Sequence, residues 1–452
     1  MTGKKLLLIS ANRYAIPYPV YPLGISYLFS YLKERFPHYD IRLLDLNLST
    51  PAKMVQVLND FKPDYIGVSF RNIDDVNFYS QESFINGYKT IYNLIRQTIR
   101  STVIIGGSAF SIFPKELFDF FNPDYGIVGE GEESLCQLLS GLDSDNPNLG
   151  IEGLAFRKEG KIVINGRKAF IHDPNLCFDN GMTNFYWDKS GMMNIQTKRG
   201  CPYNCIYCTY PLIEGHTVRT LDPDRIIYAL KDLNKNNKVD YVFFTDSVFN
   251  IDNAFNIELS NKMIKSGLKM KWGAYFSPQN LDESLLRLFR EAGLTHIEFG
   301  TESLSDTVLR SYGKHFTIEE VIDISRMCNK VGIYFAHFLI IGGYGETEET
   351  INEGFENSKR IGNTVFFPYI GMRIYPGTRL QQLAIDEGLI HPEDNLLEPI
   401  YYLAKGIDYD SLKQRAEKTG RRWVFPDEDV STIMNRMRKR KRKGSLWHHL
   451  KR

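Results

Sequence analysis

Along the first 145 residues, short β-rich apolar runs alternate with stretches whose apolar positions recur at helical spacing. The runs are Lys5 to Ile9, Asp40 to Leu46, Asp64 to Phe70, Thr102 to Gly107 and Tyr125 to Glu130, and Ile25, Leu28, Phe29, Tyr31 and Leu32 mark one face of a helix over 24–36. This alternation predicts a doubly wound parallel sheet. From 146 to 190 the periodicity weakens into Asp and Asn clusters and a hairpin-like segment at 157–164, which predicts a connector. A second β/α series follows, with strands expected at Met193 to Thr197, Tyr241 to Thr245, Met270 to Phe276, His296 to Gly300, Tyr334 to Ile341 and Val365 to Ile374. Six units are too few for a closed eight-stranded barrel, so a partial barrel with an open side is expected over 191–390. Past Leu380 the chain turns helical and polar, and 391–452 is expected to be a small helical region ending in a basic tail.

In a five-stranded, flavodoxin-like sheet a ligand lies outside the carboxyl ends of the strands, where the winding reverses. The residues placed there are Asn12, then Ser69, Arg71 and Asn72, then Gly106, Gly107 and Ser108, then Gly129, Glu130 and Gly131. Small residues let backbone amides approach a ligand. Each segment alone is equally well a tight strand-to-helix turn, and it is their common rim that suggests a binding site.

Composition narrows the class. The 452 residues are 43% hydrophobic and 24% charged, with a net charge of +1, as in ordinary globular chains and without overall bias toward nucleic acid or membrane. The near-zero charge hides an asymmetry: nine Lys or Arg and no acidic residue lie between Arg436 and Arg452, leaving the rest of the chain at −8. No apolar run approaches the length of a membrane span and no signal peptide is evident, so a cytoplasmic location is expected. Of six cysteines, at 136, 177, 201, 205, 208 and 328, three crowd into eight residues, which is not a disulfide framework.

Those three, Cys201, Cys205 and Cys208, are spaced three and two residues apart, in a loop at the carboxyl end of the first expected barrel strand. Three thiolates so placed can hold three corners of a cubane iron–sulfur cluster and leave one iron open. The alternative is a structural zinc with His216 as the nearest fourth ligand. Cys136, Cys177 and Cys328 read as ordinary buried thiols.

The CxxxCxxC run with Tyr207 before its last cysteine resembles the signature of radical S-adenosylmethionine enzymes. The resemblance implies that Cys201, Cys205 and Cys208 hold a four-iron four-sulfur cluster, and that S-adenosylmethionine chelates its free iron. It also implies cofactor-holding roles for Thr245, Asp246 and Ser247, for Gly300, Glu302 and Ser303 in a GxES-like segment, for Gly343 in a loop where Tyr344 stands in place of the usual proline, and for Tyr375. Arg199 is a candidate for the cluster or for the cofactor's carboxylate, or it caps the strand end. His337, in the fifth barrel strand with Phe335 and Phe338, is either directed inward to substrate or a satisfied core histidine, the second being the plainer reading.

A flavodoxin-like, Rossmann-like unit joined to a radical barrel is similar to the cobalamin-binding class of that superfamily, through Tyr21-Pro22-Leu23-Gly24, Ile105-Gly106-Gly107 and Val128 to Glu132. No DxHxxG is present, which implies a corrin lower face bound without histidine, with Arg71 and Asn72 as the candidate loop; an Asx turn there is the plain alternative. Three functions fit: a cobalamin-dependent C-methyltransferase acting on an unactivated carbon through a 5′-deoxyadenosyl radical, a cobalamin-dependent cyclisation or redox step, and a radical enzyme whose first domain binds substrate or partner. A small-molecule or lipid-like substrate and an electron donor such as flavodoxin or ferredoxin are implied. Leu446, Trp447 and Leu450 beside the basic run suggest an anionic membrane surface more than nucleic acid, with a solvated chain end as the alternative.

Overall fold

The computed structural model describes residues 3–171, 173, 174 and 176–450. Strands β1 (Lys5–Ser10), β2 (Asp40–Asp45), β3 (Tyr65–Ser69), β4 (Thr102–Gly106) and β5 (Tyr125–Ile127) form a parallel sheet in the order 2-1-3-4-5. The winding reverses at β1 and β3, whose carboxyl ends therefore open a crevice. The sheet does not stop at residue 145. The segment expected to be a connector supplies β6 (Leu154–Lys158) and β7 (Lys161–Ile164), an antiparallel hairpin paired to β5. Leu154, Ala155 and Phe156 are buried there, so the hairpin covers an otherwise bare sheet edge.

The barrel begins with β8 (Met193–Ile195), and β9 (Lys198–Arg199) pairs with β10 (Arg219–Thr220) beside it. Then come β11 (Tyr241–Phe244), β12 (Lys271–Phe276), β13 (Leu294–Glu302), β14 (Tyr334–Ile341) and β15 (Thr364–Ile370), all parallel. β15 ends earlier than expected, at Gly371, whose φ of +71° turns the chain. β16 (Met372–Arg373) and β17 (Tyr401–Tyr402) form a small antiparallel pair, and β18 (Arg422–Trp423) adds a seventh parallel strand beside β15. The region after 390 is thus not purely helical.

Strand alternation divides the barrel residues. Val242, Phe244, Trp272, Phe276, Ile297, Phe299, Phe335 and Phe366 pack with the outer helices into one core. The alternate positions face the lumen. His337 belongs to the outer face: it is buried, contacts Thr301 and Ser325 at 2.8 and 3.1 Å, and burial lowers it to about 3.

The tail is the floor of this lumen. After the helix Ser431–Lys439, a 3-10 turn, Leu446–Leu450, packs under the strands. Leu446, Trp447 and Leu450 are all buried, and Trp447 Nε1 donates to Glu298 at 3.0 Å. His448 contacts His296 at 2.8 Å and stacks on Tyr334. The apolar residues expected to reach a membrane are therefore spent inside the molecule; Lys451 and Arg452 lie outside the described residues. Among the described residues no helix is long and apolar enough to cross a membrane.

Buried ion pairs join the two domains. Arg199 bridges Glu130 and Glu132 at 3.3 and 3.0 Å, Arg219 reaches Glu130 at 2.8 Å, and Asp74 meets Arg373 at 2.9 Å with both side chains 1% exposed. Tyr186 adds a hydrogen bond of 2.8 Å to Asp45 at the end of β2.

Candidate active site between the two domains

Where the carboxyl ends of the first sheet face the barrel mouth lies a cavity of about 660 Å³. Asn12, Ser69, Arg71, Asn72, Gly106, Gly107, Ser108, Gly129, Glu130 and Gly131 all line it, from four separate strand ends. From the barrel side it is lined by Asn194, Gln196, Thr209, Tyr210, Glu214, Thr245 and Tyr375. Its shape depends on glycine at two points. Gly107 has φ +97°, and a Cβ there would stand 2.4 Å from the Phe70 carbonyl oxygen; Gly129 has φ +77°, and its Cβ would press Arg167 at 3.0 Å. Ser108 Oγ donates to the Arg71 carbonyl at 2.7 Å, fixing the loop that carries Arg71 and Asn72 at the rim.

The cysteine loop sits beside this cavity and is held by its backbone. Cys201 N donates to Gly215 O at 3.0 Å, Ile206 N to Tyr312 O at 3.1 Å, Cys208 N to Cys205 O at 3.1 Å, and Leu380 N to Ile206 O at 2.8 Å. All three thiols are free. Burial raises Cys201 and pushes Cys208 up to about 12, so loading a cluster must displace protons. Among the described residues no three His, Cys, Asp or Glu side chains converge as the ligands of a single metal ion do. A cubane, whose irons keep the thiolates apart, needs no such convergence.

Lys314, which the sequence did not single out, is the cation of this loop. It lies 3.4 Å from Glu302 Oε1, 3.4 Å from the Gly300 carbonyl and over the Tyr207 ring. Burial works against its charge, but Glu302 and the Cys205 and Cys208 thiols outweigh it and hold Lys314 above its ordinary value. A fixed cation beside an iron–sulfur cluster offsets its negative charge. Glu302 has φ +66° and follows a register shift in β13, which turns its carboxylate toward the cysteine loop. Ser247 also faces it, donating to Gly200 O at 3.2 Å.

Other expectations are corrected. The Asp246 carboxylate does not face the mouth: it accepts from Thr197 N at 2.6 Å and Lys198 N at 3.1 Å and pairs with Lys198 Nζ at 3.1 Å, both side chains 1% exposed. Glu130 lines the cavity but spends its carboxylate on Arg199, Arg219 and the Ile171 N–H at 2.8 Å. Arg199 lines the same cavity while clamping the two domains through Glu130 and Glu132. At Gly343 the space of a side chain is filled by Tyr312, whose Oη would stand 2.2 Å from a Cβ. Tyr344 does not loosen that loop, because Ser311 Oγ donates to its carbonyl at 2.7 Å and its ring packs against Tyr402. Ser303 Oγ accepts from Ser305 N at 3.2 Å, shaping the turn after β13. Cys177 is exposed, unlike buried Cys136 and Cys328.

With this geometry in place, comparison with known proteins defines the class. Residues 9–139 match the B12 binding domain and residues 195–356 the radical SAM superfamily. The chain is a cobalamin-binding radical S-adenosylmethionine enzyme, and its cofactors are cobalamin, a four-iron four-sulfur cluster and S-adenosylmethionine.

Among its relatives is an uncharacterized methyltransferase of Pyrococcus horikoshii, 26% identical over 82% of this chain and 79% of that protein. The tryptophan 2-C-methyltransferase of Streptomyces laurentii is 22% identical over 79% of this chain and 71% of its own length. The fold is shared with the radical S-adenosylmethionine methyltransferase TsrM of Kitasatospora setae, solved with cobalamin and a [4Fe-4S] cluster: the TM-score is 0.87 at 19% identity, covering 99% of this chain and 97% of that one.

The cavity residues fit such a load. A glycine-lined crevice at the winding reversal suits a large planar ring, and the side chains at its rim below β3 are Arg71 and Asn72 rather than a histidine.

Proposed function

We propose that this protein methylates an unactivated carbon of a small-molecule substrate. The observation that carries this is a cavity whose walls come both from the carboxyl ends of the B12 domain and from the barrel mouth, including Thr209 and Tyr210 directly after the cysteine loop. The cofactors supply one-electron chemistry at the cluster and a methyl carrier at the corrin. The chain's own residues do the rest. Arg71, Asn72 and Ser108 hold the corrin-side loop, Cys201, Cys205 and Cys208 the cluster, and Lys314 and Glu302 the charge balance beside it. The clamps Asp74–Arg373 and Glu130–Arg199–Arg219 hold the two domains together around this cavity. An external electron donor such as flavodoxin or ferredoxin completes the scheme.

Methyl transfer is favoured by the names of several relatives. The second reading, ring formation with both cofactors, is kept by relatives such as the anaerobic magnesium-protoporphyrin IX monomethyl ester cyclase of Cereibacter sphaeroides, 26% identical over 74% of this chain but only 55% of that protein. The test is anaerobic incubation of the reconstituted enzyme with methyl-labelled S-adenosylmethionine and a cell extract. A product heavier by one labelled methyl group supports methylation. Consumption of S-adenosylmethionine with no labelled product other than methionine contradicts it.

A further inference from the structure

The lumen-facing positions of the barrel carry a chemistry of their own. Tyr275 on β12 and Tyr369 on β15 are 39% and 41% accessible, yet both lie so deep that burial pushes their phenols up, Tyr369 to about 12. A side chain at a lumen-face strand position that keeps this accessibility borders open space at the barrel interior. Phe243 meets Tyr275 edge-on at 4.9 Å, and Phe338 and Phe367 stack at 5.0 Å on the facing strands. In register with Tyr275 stands Glu298, buried and bound from below by Trp447. Gln196 and Thr245, at the strand ends of the same face, also line the corrin-side cavity, so the two spaces meet there.

The lumen face itself carries few charges. Among the described lumen-face residues above the floor the ionisable acids are Glu298 and Glu302, and the nearby cation, Lys314, is paired to Glu302. An anion entering here loses its hydration and finds, among the described lumen-face residues, only a cation already paired to Glu302. A flat ring or an organic cation gains from the aromatic walls. We infer that the substrate is a planar aromatic ring bearing an amine or ring N–H and no phosphate or carboxylate, held between Tyr275 and Tyr369 with its donor directed to Glu298. This rests on the methyltransferase function proposed above and names its substrate class.

The test uses the full chain with cluster and corrin loaded, and three probes: tryptamine, indole-3-acetate and cytidine 5′-monophosphate, measured by equilibrium dialysis and saturation-transfer NMR. Tryptamine is expected to bind about tenfold or more tighter than indole-3-acetate, with no binding of the nucleotide, since one such factor is about 1.4 kcal/mol. Tyr275→Leu and Tyr369→Leu should each weaken tryptamine by about tenfold, the scale of a desolvated aromatic contact. Glu298→Gln, which keeps an acceptor for Trp447, should narrow the gap between tryptamine and indole-3-acetate. Binding of either anion as tightly as tryptamine, or unchanged tryptamine binding in both tyrosine variants, overturns the inference. If the protein retains corrin and tryptamine does not bind, the substrate class alone fails. If it retains no corrin, the methyltransferase function fails and this inference with it.

Discussion

Lys198 and Asp246 are both sealed from solvent, and each is the other's main compensation: the ammonium also rests over Phe249 and donates to Asn256 at 2.8 Å. Lys198→Met leaves a buried carboxylate without its cation and should lower stability by about 3–5 kcal/mol in urea unfolding. Adding Asp246→Asn should return a large part of that loss; no recovery would mean that the pair is not coupled. Glu298 makes a pH prediction. Burial raises it to about 7, above its ordinary 4.5, so the folded state holds a proton that the unfolded state has released. Its contribution is full below pH 4.5 and is lost as pH rises through 7. Glu298→Gln should therefore flatten the fall in stability between pH 5 and 8, by on the order of 3 kcal/mol; parallel curves for variant and parent would contradict this. Neither role was legible in the sequence. Asp246 is 48 residues from Lys198, and Glu298 is 149 from Trp447, whereas the three cysteines advertise themselves within eight consecutive positions.

At the scale of elements, periodicity located the parallel strands because each carries its own apolar pattern. It could not locate β18, whose two residues have no pattern of their own, nor the place of the hairpin β6–β7, which depends on the exposed edge of β5. The cysteine loop shows a related dependence. Its shape is set partly by Gly313, with φ +76°, where a Cβ would stand 2.8 Å from the Asn204 carbonyl oxygen. Gly313→Ala should push this loop and lower iron and sulfide bound after anaerobic reconstitution to less than about half of the parent. Gly267→Ala, at φ +69° with nothing within 4 Å, imposes the same backbone strain without the collision and should leave iron content unchanged. Equal iron in both variants would show that the collision is absorbed elsewhere.

For the whole molecule, the basic tail has a structural use. It carries a turn that closes the barrel floor, where the neutral Trp447 indole donates to Glu298. A chain ending at Asn435 should melt several degrees lower than the full chain and expose the lumen, while flotation with anionic liposomes should be the same for both. A lipid-dependent difference with equal melting points would restore the membrane role. The domains themselves are joined by buried charges whose removal is costly, and Arg373→Ala should both destabilise the protein and loosen its hold on corrin, because Asp74 stands next to the cavity that the clamp closes.

The central claim is that one chain gathers a corrin and an iron–sulfur cluster around one cavity. It is tested most directly by purifying the protein anaerobically from a cobalamin-fed host and measuring corrin and iron on the same sample. The account predicts about one corrin and about four irons per chain, with corrin lost in Gly107→Val while iron is retained, since that Cβ collides only on the corrin side. A fully loaded cluster in protein that never retains corrin would contradict it.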